Sequence, residues 1–165
     1  MEEPEAAEPE AETPEAETAE AETAEAETPE EEAPKPPPVA SILVAEDDPD
    51  IRDLFAMALE GAGVDVTAVD NGEAALAALE QKTFDMIVTD MWMPRVSGLD
   101  LCKKVRAEPA TRNLPVLMLS AYGRLRGREE AKMVGASDYL MKPLRPSQLI
   151  SKVDAMLGGR LVMRS

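Results

Sequence analysis

Ile42-Leu43-Val44-Ala45-Glu46-Asp47-Asp48-Pro49-Asp50-Ile51-Arg52-Asp53-Leu54-Phe55-Ala56-Met57-Ala58-Leu59-Glu60-Gly61 is the stretch whose reading decides the fold. Its first four residues form a short apolar run that ends abruptly in three carboxylates. Asp48 followed by Pro49 suits an N-cap with proline at the first helical position. Beyond it, Ile51, Leu54, Phe55, Ala58 and Leu59 recur at helical spacing, and the pattern stops at Gly61-Ala62-Gly63. One buried strand therefore feeds one amphipathic helix.

The same unit recurs to the end of the chain. Strand Val64–Val69 precedes a helix from Gly72 to about Lys82, and strand Met86–Thr89 precedes one from Ser97 to Ala107. Strand Val116–Leu119 leads to a helix from Arg124 to Val134, and strand Tyr139–Met141 to one from Arg145 to Leu157. Continuous apolar strands alternating with amphipathic helices predict a parallel sheet covered on both faces. Right-handed crossovers make it doubly wound. Met57, Met86 and Met118 fall at apolar-pattern positions and read as core, and Cys102 reads as a small buried hydrophobe.

Residues 1–38 are of a different kind. They hold 15 Glu and one Lys, a net charge of −14, whereas residues 39–165 carry only −2. A five-residue period runs through them, as in Glu-Thr-Ala-Glu-Ala from Glu17 and again from Glu22. With no apolar stripe and with prolines interrupting it, this segment is expected to be a disordered acidic tail ending in a stiff Pro34–Pro38 linker. The expected organisation is tail 1–38, folded domain 39–158 and a short C-terminal tail 159–165. A near-neutral domain without a basic stripe predicts no nucleic-acid partner. No long apolar run predicts a membrane span, and one cysteine fits a reducing compartment, so a cytoplasmic protein is expected. With no histidine, His-based metal sites and Ser-His or Cys-His catalysis are excluded. The chain also cannot be a histidine phosphodonor.

In a doubly wound sheet, sites form at the carboxyl ends of the strands. Strand one ends in Glu46, Asp47 and Asp48, strand three in Asp90, strand four in Ser120 and strand five in Lys142. Capping of the next helix accounts for Asp48 but gives no reason for a cation at Lys142. Carboxylates brought together need a counter-charge. Oxygen-only ligands favour a hard cation such as Mg²⁺ or Mn²⁺. A neighbouring lysine suits a transferring phosphoryl group, and a carboxylate is a competent phosphoryl nucleophile. This chemistry points to a metal-assisted aspartyl-phosphate site.

Residues 41–157, about 70% of the chain, resemble the receiver domains of response regulators in two-component signalling. The matching segments are Ile42 to Asp48, Ile87-Val88-Thr89-Asp90-Met91-Trp92-Met93-Pro94, Ser97-Gly98-Leu99, Leu114 to Ala121 and Gly135 to Pro143. Their order and separations, 30 residues from Asp90 to Ser120 and 52 from Asp90 to Lys142, carry the specificity. The resemblance implies a flavodoxin-like α/β fold of five parallel strands in the order 2-1-3-4-5. It implies Asp90 as phosphoacceptor, Asp47 as a direct Mg²⁺ ligand, Glu46 as a ligand through water and the Trp92 backbone carbonyl as a further one. Lys142, beside a cis Lys142-Pro143 peptide, would pair with the phosphoryl group. Ser120 would bond a phosphoryl oxygen, and Tyr139 would be the aromatic switch. The implied donor is a histidine kinase or a histidine phosphotransfer protein. The implied output is a downstream protein met through the face of the fourth helix, fifth strand and fifth helix, and not catalysis on a separate substrate.

Some residues depart from or add to that pattern. Trp92 and Tyr122, two positions past Asp90 and Ser120, are expected to shield the acyl phosphate and lengthen its lifetime. Met91, Trp92 and Met93 form an exposed-looking apolar patch, which reads either as a partner-docking surface or as partly buried under the neighbouring loop. Arg124, Arg126 and Arg128 open the fourth helix, where the macrodipole disfavours cations, and offer an acidic partner a docking face. Eight residues follow Leu157, so output by protein contact is expected over DNA binding. Two rivals are a phosphorylation-independent scaffold and an aspartyl-phosphate hydrolase. The hydrolase would usually place a second carboxylate where Trp92 stands.

Overall fold

A computed structural model of the chain describes residues 34–121 and 124–161. The expected acidic tail up to residue 33, Tyr122 and most of the expected C-terminal tail lie outside the described residues. Residues 34–38 have no regular secondary structure and are exposed.

Five strands and five helices alternate: β1 Ala40–Ala45, α1 Pro49–Gly61, β2 Val64–Val69, α2 Gly72–Gln81, β3 Met86–Asp90, α3 Gly98–Ala107, β4 Val116–Ser120, α4 Arg124–Met133, β5 Asp138–Met141 and α5 Pro146–Met156. All strand pairs are parallel, in the order β2-β1-β3-β4-β5. The predicted elements are thus present, with ends differing by one or two residues. The fold is flavodoxin-like, as the resemblance implied.

Two apolar cores sandwich the sheet, and each strand's alternation feeds both. Ile42, Val44, Met86, Val88, Leu117 and Leu119 face Phe55 and Leu59 of α1 and Leu149 and Val153 of α5. Leu43, Ala45, Ile87, Val116 and Met118 face Ala75 of α2, Leu101, Cys102 and Val105 of α3 and Ala131 of α4. Because both faces are covered, the central strands read as unbroken apolar runs. Cys102 is buried, as expected, and burial raises its thiol pKa. Met86 and Met118 are core residues as expected.

Local capping marks the helix starts. The Asp48 carboxylate accepts from the backbone N–H groups of Asp50 and Ile51, with Pro49 in the first turn. Asn71 and Ser97 cap α2 and α3 in the same way. Arg106, near the end of α3, donates to the carbonyls of Gly135, Arg112 and Leu114 and to Ser137 Oγ, tying the α3–β4 loop to the α4–β5 loop.

Three sequence expectations require correction. Leu54 (48% exposed) and Met57 (70% exposed) are not core. At about 100° per residue, Met57 points roughly opposite to the Phe55–Leu59 face and Leu54 well to its side. Met91 is fully buried, not part of an exposed patch. It continues the alternation of Ile87 and Thr89 one residue past β3, and its N–H still bonds the Leu119 carbonyl at 2.7 Å.

Candidate functional site

The order of the sheet places the ends of β1 and β3 side by side, at the point where the winding reverses. That is where an open parallel sheet forms a crevice. Glu46 and Asp47 leave β1 there and Asp90 ends β3. Each of the three carboxylates offers one oxygen, and these oxygens lie within 4.8 Å of one another. Glu46 and Asp90 are buried and Asp47 is exposed, so the cluster opens to solvent on one side.

Lys142, just past β5, reaches across the sheet to this cluster. Its Nζ is 2.6 Å from Glu46 Oε2 and 3.3 Å from Asp90 Oδ2. The Lys142-Pro143 peptide is cis. The Lys142 N–H bonds the Ser120 carbonyl at 2.8 Å, which fixes where the lysine leaves the strand. Ser120 is fully buried at the end of β4, one residue beyond Leu119, the partner of Asp90 in register. Tyr139 is buried on β5, opposite Met118.

Three carboxylates and one ammonium leave the site net negative when ionised. Burial raises the Glu46 carboxyl above its ordinary range. The Lys142 hydrogen bond opposes that shift and the Asp90 charge adds to it. Burial likewise raises Asp90, against the Lys142 charge and a hydrogen bond from the Trp92 backbone N–H, and with the Asp47 charge. For Lys142, burial works against the ammonium, but the Glu46 hydrogen bond and the two carboxylate charges outweigh it and raise its pKa. A hard divalent cation is the complement to such a set: the donors are all oxygens, they converge, and one side is open.

The positions predicted from the strand ends, Glu46, Asp47, Asp90, Ser120 and Lys142, all fall at this end of the sheet. Trp92 is half exposed beside them (48%). Other supporting residues gave little sequence signal. Arg52 donates from Nη1 to the Glu46 carbonyl at 3.0 Å, pinning the β1 turn from the first turn of α1. Gly98 faces the Asp90 carbonyl so closely that a Cβ there would overlap it. The Thr89 hydroxyl donates to the same carbonyl at 2.9 Å. Gly98 was part of a matching segment, but only the close approach reveals its purpose.

Residues 42–154 match the response regulator receiver domain family, and the chain belongs to that family. Receiver domains are signalling modules, not classical enzymes, and they interact with histidine kinases and downstream partners. An uncharacterized 14.6 kDa protein in the sodA1 3′ region of Leptolyngbya boryana is 42% identical over 68% of this chain and 86% of its own length. The DNA-binding dual master transcriptional regulator RpaA of a Synechocystis strain is 37% identical over 70% of this chain and 48% of its own length. The phosphate regulon regulatory protein PhoB of Rhizobium meliloti is 35% identical over 70% and 51%. The chain therefore spans about half the length of these two regulators. Among solved structures, the chemotaxis response regulator CheY4 of Vibrio cholerae superposes with a TM-score of 0.68 at 32% identity, covering 70% of this chain and 97% of that one. The receiver domain of the sensor histidine kinase PA1611 from Pseudomonas aeruginosa PAO1, with a magnesium ion coordinated in its active-site cleft, gives 0.67 at 28% over 72% and 98%. Among the described residues, no helix is long and apolar enough to cross a membrane.

Proposed function

We propose that Asp90 is the phosphoacceptor of a two-component signalling protein working in the cytoplasm. The observation that carries this reading is the convergence of Glu46, Asp47 and Asp90 with the Lys142 ammonium 3.3 Å from the Asp90 carboxylate. An Asp90 carboxylate oxygen attacks the phosphorus of a phosphohistidine on a kinase or phosphotransfer protein. The new O–P bond forms as the P–N bond breaks, and the imidazole leaves. Asp47 and Asp90, with Glu46 through water and the Trp92 carbonyl, would hold Mg²⁺ or Mn²⁺. When bound, that cation offsets phosphoryl charge and orients its oxygens.

This chain's own residues supply the rest. Lys142 provides a fixed positive charge on the other side of the phosphoryl group. The Ser120 hydroxyl bonds a phosphoryl oxygen, and Tyr139 responds as the second half of a two-state element. Output passes by protein contact through the face made by α4, β5 and α5. Trp92 and Tyr122 screen the acyl phosphate from water.

The test is incubation with Mg²⁺ and acetyl phosphate, read by intact mass. The wild type is expected to gain one phosphoryl group and Asp90→Asn none; equal uptake by the two ends the Asp90 assignment. Decay of the phosphorylated protein tests the screening role. Replacing both Trp92 and Tyr122 by Ala is expected to shorten the half-life several-fold, and an unchanged half-life removes that role.

A further inference from the structure

Four of the five helices meet the sheet with larger side chains or, for α2, with Ala75 flanked by Leu76 and Leu79. Helix α4 is built the other way round. Its large apolar residues, Leu125 and Met133, point outward at 81% and 85% exposure. Its inward positions are Gly127 and Ala131, four residues apart on one face. The space these small residues leave is filled from the sheet by the Tyr139 ring.

The fit at Gly127 is specific. A methyl group placed there falls 2.6 Å from the Tyr139 hydroxyl oxygen, 3.2 Å from Cζ and 3.3 Å from Cε2. Gly127 lies within the helix and is not among the positive-φ residues, so backbone conformation does not call for glycine. A mid-helix glycine costs about 1 kcal/mol relative to alanine. Close approach of the tyrosine is the compensating reason. By contrast, Gly61 at the end of α1 has nothing within 4 Å.

We propose that Gly127 is the seat of Tyr139, a positioning residue that keeps the ring beneath α4 and sets how readily it leaves. Tyr139 pairs in register with Met118, and Ser120 pairs with Met141 two positions further along. Alternation therefore puts Ser120 and the Tyr139 ring on the same face of the sheet, on neighbouring strands. A side chain at position 127 forces the ring out or lifts α4 from β5. Either change alters the end of the sheet that carries Ser120. The link to phosphorylation rests on the proposed role of Asp90; the seating does not.

A double-mutant cycle separates the two. In wild type, Gly127→Ala is expected to lower the urea midpoint and move the Tyr139 ring resonances in NMR spectra. With Tyr139→Phe the loss shrinks, because only the closest contact is removed. With Tyr139→Leu it vanishes or becomes a gain, as alanine's helix preference takes over. If Gly127→Ala fails to fold, recovery of folding by adding Tyr139→Leu is the same result. Equal midpoint changes in all three backgrounds, with the Tyr139 resonances unmoved, overturn the seat. In a second arm, acetyl phosphate and Mg²⁺ shift the Tyr139 resonances in wild type but not in Asp90→Asn, and the shift is smaller in Gly127→Ala, where the ring is already displaced. If the cycle holds and the second arm does not, the proposed switching role of Tyr139 fails and the seat stands, while uptake by mass still decides the phosphoacceptor reading.

Discussion

The Lys142 ammonium lies nearer to Glu46 than to Asp90, at 2.6 Å against 3.3 Å. One cation thus holds two buried carboxylates, and neither is fully compensated. The consequence for stability has a definite sign. Glu46 and Asp90 have folded pKa values above their ordinary 4.5 and 3.8. Groups shifted this way contribute stability that is complete below the ordinary value and lost as pH rises through the folded one. Asp138 is shifted the other way: burial raises it, but the Lys152 hydrogen bond and further contacts win. Its contribution is lost only below the ordinary 3.8, outside this window. Lys142 is raised above 10.5 and does not titrate here. Metal-free protein is therefore expected to gain stability as pH falls from neutral toward the ordinary carboxylate range. Urea titrations should show this gain in wild type and a smaller one in Asp90→Asn. Saturating Mg²⁺ should abolish it by keeping the carboxylates ionised. A wild-type midpoint that falls over the same range contradicts this charge balance.

At the scale of the element, Asp47 and Asp48 are neighbours with separate duties. Asp48 caps α1 through the Asp50 and Ile51 N–H groups, while Asp47 joins the carboxylate cluster. Asp48→Ala is expected to cost about 1 kcal/mol in chemical denaturation and leave Mg²⁺ affinity unchanged. Asp47→Ala should do the reverse, with loss of Mg²⁺ binding by titration and little change in metal-free stability. An Asp48→Ala protein that fails to bind Mg²⁺ would assign that residue to the site. The cap was legible in sequence because it depends on residues two and three positions apart. The orientation of α1 was not. The apolar residues of that helix spread around more than one face, and only packing against β1 and α5 selected Phe55 and Leu59 over Leu54 and Met57. Helix α4 was harder still. Its inward face carries glycine and alanine, which periodicity does not register as a core stripe.

Over the whole molecule, charge and fold are separate matters. Nearly all of the net −16 belongs to residues 1–38, and the remainder is close to neutral. Within the receiver domain, the sequence by itself determined the alternation of strands and helices and the cluster of polar residues at the strand ends. Both follow from patterns a few residues long: apolar runs, helical spacing and caps act locally, and the residue ending a strand is fixed by the chain. Asp90, Asp47, Ser120 and Lys142 were accordingly visible from the start. What only the tertiary structure decided is which groups meet. Lys142 finds Glu46 from 96 residues away, Arg52 pins the Glu46 carbonyl, Gly98 lies against the Asp90 carbonyl, and Gly127 receives Tyr139. Those contacts depend on how helices rotate about their own axes and cross the sheet. That geometry is set by the packing of the two cores, and no local stretch of sequence encodes it.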